Sequence, residues 1–103
     1  MTEEHPRHRL DGVVHSPVRL SVMACLAKVD RAEFRFVREA LVVRAATLSK
    51  QVALLEAVGF VEVTKGHVGK QPRTWLSLTA AGHAALSRYL TVLRAIVDGA
   101  QGP

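Results

Sequence analysis

The chain has 103 residues, of which 49% are hydrophobic, so it can form one hydrophobic core but has no room for two. Its 14 basic and 9 acidic residues give a net charge of +5, which favours an anionic partner such as nucleic acid or a membrane surface. A single cysteine excludes an internal disulfide and a zinc site built on several cysteines. No apolar run approaches the roughly 20 residues of a membrane span, and the first twelve residues lack the apolar region of a signal peptide. We therefore expect a soluble, cytoplasmic single-domain protein that has no membrane partner.

Three amphipathic helices are predicted in the first 58 residues from apolar residues that recur at three- and four-residue steps. Ser16 and Pro17 mark the start of the first helix, because a capping serine there precedes a proline at the first helical position. Gly59 marks the end of the third helix. The predicted bounds are 17–29, 34–42 and 46–58.

The apolar pattern then changes to a period of two. Alternating apolar and polar residues predict two half-buried strands, over 60–65 and 73–79. The basic, glycine-containing segment 66–72 lies between them and predicts the loop of a hairpin. Thr79 can cap a last helix over 80–97, whose apolar residues form two neighbouring stripes.

This order of elements predicts an α+β, mostly helical, winged helix-turn-helix domain. It has three helices, a two-stranded hairpin as the wing, and a long C-terminal helix that serves for dimerisation. The domain is expected to span 10–98, after a flexible segment over 1–9 and before a frayed tail over 99–103. In this fold the third helix enters the major groove of double-stranded DNA, and the wing reaches the flanking backbone or minor groove.

Several segments together make the chain similar to a known family. They are His15–Leu20, Leu48–Ser49, Leu55–Val61, Lys65–Thr74 and Leu78–Gly82. The combination of a basic wing with two glycines, Arg-Thr, and Leu-Thr-x-x-Gly resembles the short, single-domain winged-helix transcription regulators related to the MarR group. The resemblance implies a homodimeric repressor or activator that binds a short inverted repeat.

The chain departs from this family at three positions of the third helix. It has Arg44 where relatives often carry a small polar residue, and Thr47 and Gln51 where they carry Asn and His. Because an arginine cannot accept the N–H bonds that a capping side chain accepts, the helix is expected to start late or to be capped by Thr47. The altered residues also mean that the DNA sequence bound by relatives does not carry over to this chain.

The third helix carries the residues expected to read bases. Its core-facing residues are expected to be Leu48, Val52 and Leu55. On the opposite side, Gln51 suits adenine and Thr47 offers a hydroxyl or a methyl group, so these two are predicted to read bases. Lys50 and Ser49 are expected to contact bases or phosphates. Leu54 is unusual on an exposed face and is expected to pack under the wing or against the last helix.

The wing carries the residues expected to contact phosphate. Lys65, Lys70 and Arg73 supply three positive charges with no acidic residue between them. Arg44, near the start of the third helix, is expected to add a further phosphate contact.

The last helix carries two apolar stripes, which is more than a helix needs if one side packs in the core and the other sides face solvent. One stripe is expected to pack in its own core and the other against a second copy, with help from Leu10, Val13 and Val14, although both stripes could instead fold onto one monomer. The residues predicted for the homodimer interface are Leu86, Tyr89, Leu90, Leu93, Ile96 and Val97.

No pattern of residues suggests an enzyme, a cofactor or a metal site. The segment Gly66-x-x-Gly69-Lys70 lacks the glycine spacing and the following helix of a phosphate-binding loop, and the five histidines do not have ligand spacing. Cys25 lies on the apolar stripe of the first helix and is expected to be a buried thiol. A winged-helix protein–protein interaction module and a binder of double-stranded RNA remain alternatives, and the sequence leaves a small-molecule effector open.

Overall fold

The computed structural model describes residues 4–99, and its elements follow the predicted order with two additions. They are a 3-10 turn (Pro6–Arg9), α1 (Pro17–Leu26), β1 (Ala32–Glu33), α2 (Phe34–Leu41), α3 (Ala45–Ala57), β2 (Val61–Val68), β3 (Gln71–Leu78) and α4 (Ala80–Gly99). The predicted winged helix-turn-helix fold is therefore confirmed. The predicted flexible segment lies partly, and the predicted frayed tail almost wholly, outside the described residues; Gly99 is the last residue of α4.

The sheet has three strands rather than the predicted two. Its order is β1-β3-β2, and all pairs are antiparallel, with Ala32 opposite Leu76 in the added pair. Two residues are too few to show the alternation that identifies a strand in a sequence, so β1 was not predicted. The prediction that α1 reaches residue 29 is also wrong, because the chain leaves the helix after Leu26 and turns to bring β1 beside β3.

The wing is a longer hairpin with a tighter turn than predicted. Val68 pairs with Gln71, so the turn consists of Gly69 and Lys70 alone. Gly69 has φ +63, a left-handed conformation that glycine adopts without steric cost. The predicted loop over 66–72 is wrong, because most of its residues belong to the paired strands; Gly66, for example, lies opposite Arg73.

One of the two predicted helix caps is present. Thr79 Oγ1 accepts a hydrogen bond from the Gly82 N–H at 3.0 Å and donates to the Gly59 carbonyl at 2.5 Å, so it joins the start of α4 to the end of α3. Ser16 precedes Pro17 as predicted, but its side chain makes no capping hydrogen bond. Ser16 is therefore the N-cap residue as predicted, and only the side-chain capping bond expected of it is wrong.

The core lies between α1, α2, α3, the sheet and the first half of α4. It is closed by buried apolar side chains from each of these elements. Among them are Val22, Leu26, Val37, Leu48, Val52, Leu55, Leu76 and Leu86. The three core-facing residues predicted for α3 are thus confirmed, whereas Cys25 is only half-buried. This core fixes α3 by one face and leaves its other face exposed.

Candidate nucleic-acid interface

The start of α3 carries no side-chain cap. Arg44 occupies the N-cap position and makes no capping hydrogen bond, and α3 begins at Ala45. The expectations of a late start or a Thr47 cap are therefore wrong. Within residues 4–99, the first-turn N–H groups of α3 consequently have no side-chain acceptor, and the exposed Arg44 lies beside them. Such a helix start favours an anionic oxygen.

The exposed face of α3 combines a few polar side chains with several short apolar ones. Thr47, Ser49 and Lys50 are all exposed, as predicted for residues opposite the core. Leu54 is 45% exposed, so the expectation that it packs away from solvent is wrong. Sequence reasoning overlooked the exposed alanines on this face, which are Ala46, Ala53 and Ala57. Short methyl groups of this kind can contact the methyl group of thymine.

Gln51 is held by a residue that the sequence did not associate with it. Its Oε1 accepts a hydrogen bond from Arg19 Nη1 at 2.7 Å, and the side chain is half-buried. Arg19 lies on α1, 32 residues earlier. No local sequence signal links two positions so far apart, since only the folding of α1 onto α3 brings them together.

The wing presents two exposed lysines and one arginine that lies beside an acid. Lys70 is exposed in the turn and Lys65 on β2. Arg73 Nε lies 3.6 Å from Glu33 Oε1, an ion pair whose two side chains are about one third exposed. The hydrogen bonds among residues 4–99 leave this Nε without a partner. The position of the Arg73 side chain therefore depends on Glu33 of β1, a strand that the sequence did not predict.

An aromatic contact lies on the same part of the sheet. The guanidinium of Arg31 lies 4.7 Å from the centroid of the Trp75 ring. Trp75 pairs with Glu33 of β1 and with Thr64 of β2, so the ring lies at the base of the wing. A cation over an indole face stabilises by about 0.5–1 kcal/mol at an exposed site.

Helix α3 and the wing lie on either side of one cleft. This cleft has a volume of about 330 Å³ and separates α3 from β2 and β3. Ser49 and Glu56 of α3 line it together with Lys65 and Thr74 of the sheet. The structure thus brings Ser49 and Lys65 together, whereas Arg44 lines a separate groove beside Arg38.

Whether an apolar residue of α4 is buried or exposed depends on its position along the helix rather than on which of the two stripes it belongs to. Leu86 and Tyr89 are buried in the core of the chain, with 7% and 4% of their surface exposed. Tyr89 also forms a 2.8 Å hydrogen bond between its hydroxyl and Nδ1 of His15. Beyond it, Leu90 and Val97 are 51% and 57% exposed. The remaining predicted interface residues, Leu93 and Ile96, are half-buried.

Two further properties concern residues 4–99 alone. No helix there is both long and apolar enough to cross a membrane. No group of three or more His, Cys, Asp or Glu side chains in this range is arranged to hold a metal ion.

The three helices, the basic wing and the exposed face of α3 define a winged helix DNA-binding protein. Residues 18–97 match the model of the "Winged helix DNA-binding domain" family, and the chain belongs to that family. This membership supports a DNA-binding protein of the transcriptional-regulator class with DNA as its partner.

The chain is also similar to several individual proteins. A transcriptional regulator homologue from Pyrococcus horikoshii is 30% identical, with a TM-score of 0.79 over 84% of this chain and 86% of that one. An uncharacterized protein of Methanocaldococcus jannaschii is 28% identical over 76% of this chain and 85% of its own length. A MarR-family regulator from Silicibacter pomeroyi is 23% identical, with a TM-score of 0.66 over 95% of this chain and 65% of that one. The resemblance to MarR-related winged-helix regulators is confirmed in fold.

Proposed function

We propose that the protein is a sequence-specific transcriptional regulator that binds an inverted repeat in double-stranded DNA as a homodimer. The α3 helix of each protomer enters the major groove, and the wing contacts the flanking backbone or minor groove. The observation that carries this proposal is that Thr47, Ser49 and Lys50 are exposed on α3 and that Ser49 lines one cleft together with Lys65 of the wing. Hydroxyl and ammonium groups in this arrangement can contact bases and phosphates at the same time.

The charge of the wing supports backbone contact. From Val63 to Ser77 the chain contains no acidic residue, and Lys65 and Lys70 are exposed. Arg73 faces Glu33 through its buried Nε, and the third of its side chain that is exposed can contact a DNA phosphate. With Arg44 and Lys50, each protomer offers five cations to DNA; because Lys50 can contact bases instead, a dimer can make about eight phosphate contacts.

Salt dependence tests this footprint. About eight contacts predict that the logarithm of the association constant falls with the logarithm of salt concentration at a slope near −7. Fluorescence anisotropy on a labelled duplex gives the slope, and a value shallower than about −3 contradicts the footprint. Lys70→Ala should make the slope about 2 units shallower per dimer, whereas Lys28→Ala, an exposed lysine just beyond α1, should leave it unchanged.

The exposed end of α4 supports the homodimer. Leu90 and Val97 are seven residues apart and so lie on one side of the helix, where two large apolar side chains are exposed. Packing this side against a second copy removes both from water in a symmetric interface. Light scattering at micromolar concentration should give twice the 11.2 kDa chain mass, and a monomer mass contradicts the proposal.

A matched pair of variants locates the interface. Leu90→Glu places a charge in the proposed contact and should give a monomer that binds DNA with lower affinity. Ser87→Glu adds the same charge at an exposed position of α4 and should remain a dimer. Equal masses for the two variants contradict an interface at Leu90.

The second function is a protein–protein interaction module, which the 45% exposure of Leu54 favours. Such a module needs no discrimination between duplexes. Anisotropy titrations with a duplex enriched by selection and with unrelated duplexes separate the two functions, because a regulator binds the selected duplex far more tightly, whereas an interaction module binds all of them weakly and equally.

A further inference from the structure

Arg19 on α1 is anchored at three places at once. Its Nε donates to the Val13 carbonyl at 2.6 Å, its Nη2 donates to the Gly12 carbonyl at 3.3 Å, and its Nη1 donates to Gln51 Oε1 at 2.7 Å. The guanidinium is planar, so the two backbone carbonyls fix its orientation and direct Nη1 towards α3. The arginine cannot turn to follow the Gln51 side chain without losing these two contacts.

This anchor fixes which end of the Gln51 amide faces away from α1. Arginine only donates hydrogen bonds, so the oxygen of the amide, and not its nitrogen, must face Arg19. The Nε2 amino group then points the other way, and within residues 4–99 no group accepts a hydrogen bond from it. Gln51 therefore has one lone pair of its oxygen engaged by Arg19 and both N–H donors free within residues 4–99.

We propose that Arg19 is a positioning residue for base recognition, which makes Gln51 a reader of hydrogen-bond acceptors; this inference rests on the DNA-reading role proposed for α3. Guanine presents two acceptors, N7 and O6, in the major groove, whereas adenine pairs one acceptor with the N6 amino donor. Bidentate recognition of adenine would require the amide oxygen, already bonded to the fixed Arg19, to turn its second lone pair towards that donor as well, whereas recognition of guanine uses only the two N–H donors that are free within residues 4–99. The expected partner of Gln51 is thus guanine, not the adenine that the residue type alone suggests.

Selection from a pool of randomised duplexes tests the assignment. The base pair read by Gln51 is the one whose preference disappears in Gln51→Ala. At that position the unaltered protein should prefer guanine over adenine by about fivefold or more in dissociation constant. Arg19→Met keeps the aliphatic stem but frees the amide, so it should lose or reverse this preference there and nowhere else. Arg88→Met removes an arginine from the exposed face of α4 and should keep the whole profile.

A second variant leaves α1 intact. Gln51→Glu retains an oxygen acceptor for Arg19 but has no donor, and a carboxylate accepts from the N4 amino group of cytosine. It should therefore move the preference at the same position from guanine to cytosine. This result is readable even if Arg19→Met unfolds, which its thermal melt detected by circular dichroism would reveal.

The outcomes separate this inference from the proposed function. If the unaltered protein enriches no motif, the proposed function is overturned and the inference with it. If the unaltered protein and Arg88→Met enrich one motif, the proposed function stands. In that case, adenine at the Gln51 position, an unchanged profile in folded Arg19→Met, or an unchanged profile in Gln51→Ala overturns the role of Arg19.

Discussion

Val42, at the turn between α2 and α3, provides a direct test of backbone strain. It has φ 54 and ψ 54, and it is 88% exposed. The Val42 N–H donates to the Glu39 carbonyl and the Val43 N–H to the Arg38 carbonyl, each at 3.3 Å, which is the hydrogen-bond pattern of a Schellman motif. Glycine is preferred at the left-handed position of that motif, because a side chain there costs about 1–2 kcal/mol.

Val42→Gly should therefore stabilise the protein. Little burial is lost, since the side chain is exposed, and glycine loses about 0.5–1 kcal/mol more backbone entropy on folding. The net gain is about 0.5–1 kcal/mol in the free energy of unfolding, or about 2–8 °C in Tm. Urea and thermal unfolding followed by circular dichroism at one protein concentration measure both quantities.

Val58→Gly is the matched control for this substitution. Val58 is also exposed and follows a helix, but its φ of −92 is ordinary for valine. Without strain to relieve, this variant should lose about 0.5–1 kcal/mol. If Val42→Gly destabilises the protein as much as Val58→Gly does, the strain assigned to Val42 is refuted.

Two further substitutions test the packing that positions α3 and α4. Gly82→Ala should lower the free energy of unfolding by about 1–3 kcal/mol, because a Cβ there would collide with the Phe60 carbonyl oxygen. Gly12→Ala should change it far less, because a Cβ at Gly12 meets no atom within 4 Å. Equal losses for the two variants would contradict the close approach at Gly82. Leu48→Ala should lower the free energy of unfolding by about 2–5 kcal/mol, because Leu48 is fully buried, whereas Leu54→Ala should lower it much less. Similar urea midpoints for the two variants would contradict the assigned faces of α3.

The sequence predicted those elements that are long enough to show a period. The helices and the two long strands each carry several apolar residues at one spacing, so their order and the core face of α3 could be read directly. Thr79 could be assigned as a cap, because its role depends on its neighbour Gly82 three residues away. Short-range chemistry of this kind is written in consecutive residues.

Features that depend on contacts between residues far apart in the chain could not be predicted from the sequence. β1 has two residues and exists because β3 lies beside it, and the Arg19–Gln51 contact joins positions 32 residues apart. The apolar stripes of α4 did not indicate how far along the helix the protomer core extends. In the structure this core ends near Tyr89, and exposure of large apolar residues begins at Leu90.

The proposed function is that the protein reads a DNA sequence as a homodimer. The most direct test is to incubate the purified protein with sheared DNA from the organism that encodes it, at about 0.15 M salt, and to sequence the recovered fragments. The proposed function predicts a few sharply enriched sites that share an inverted repeat. Recovery of fragments in the same proportions as the input DNA would contradict it.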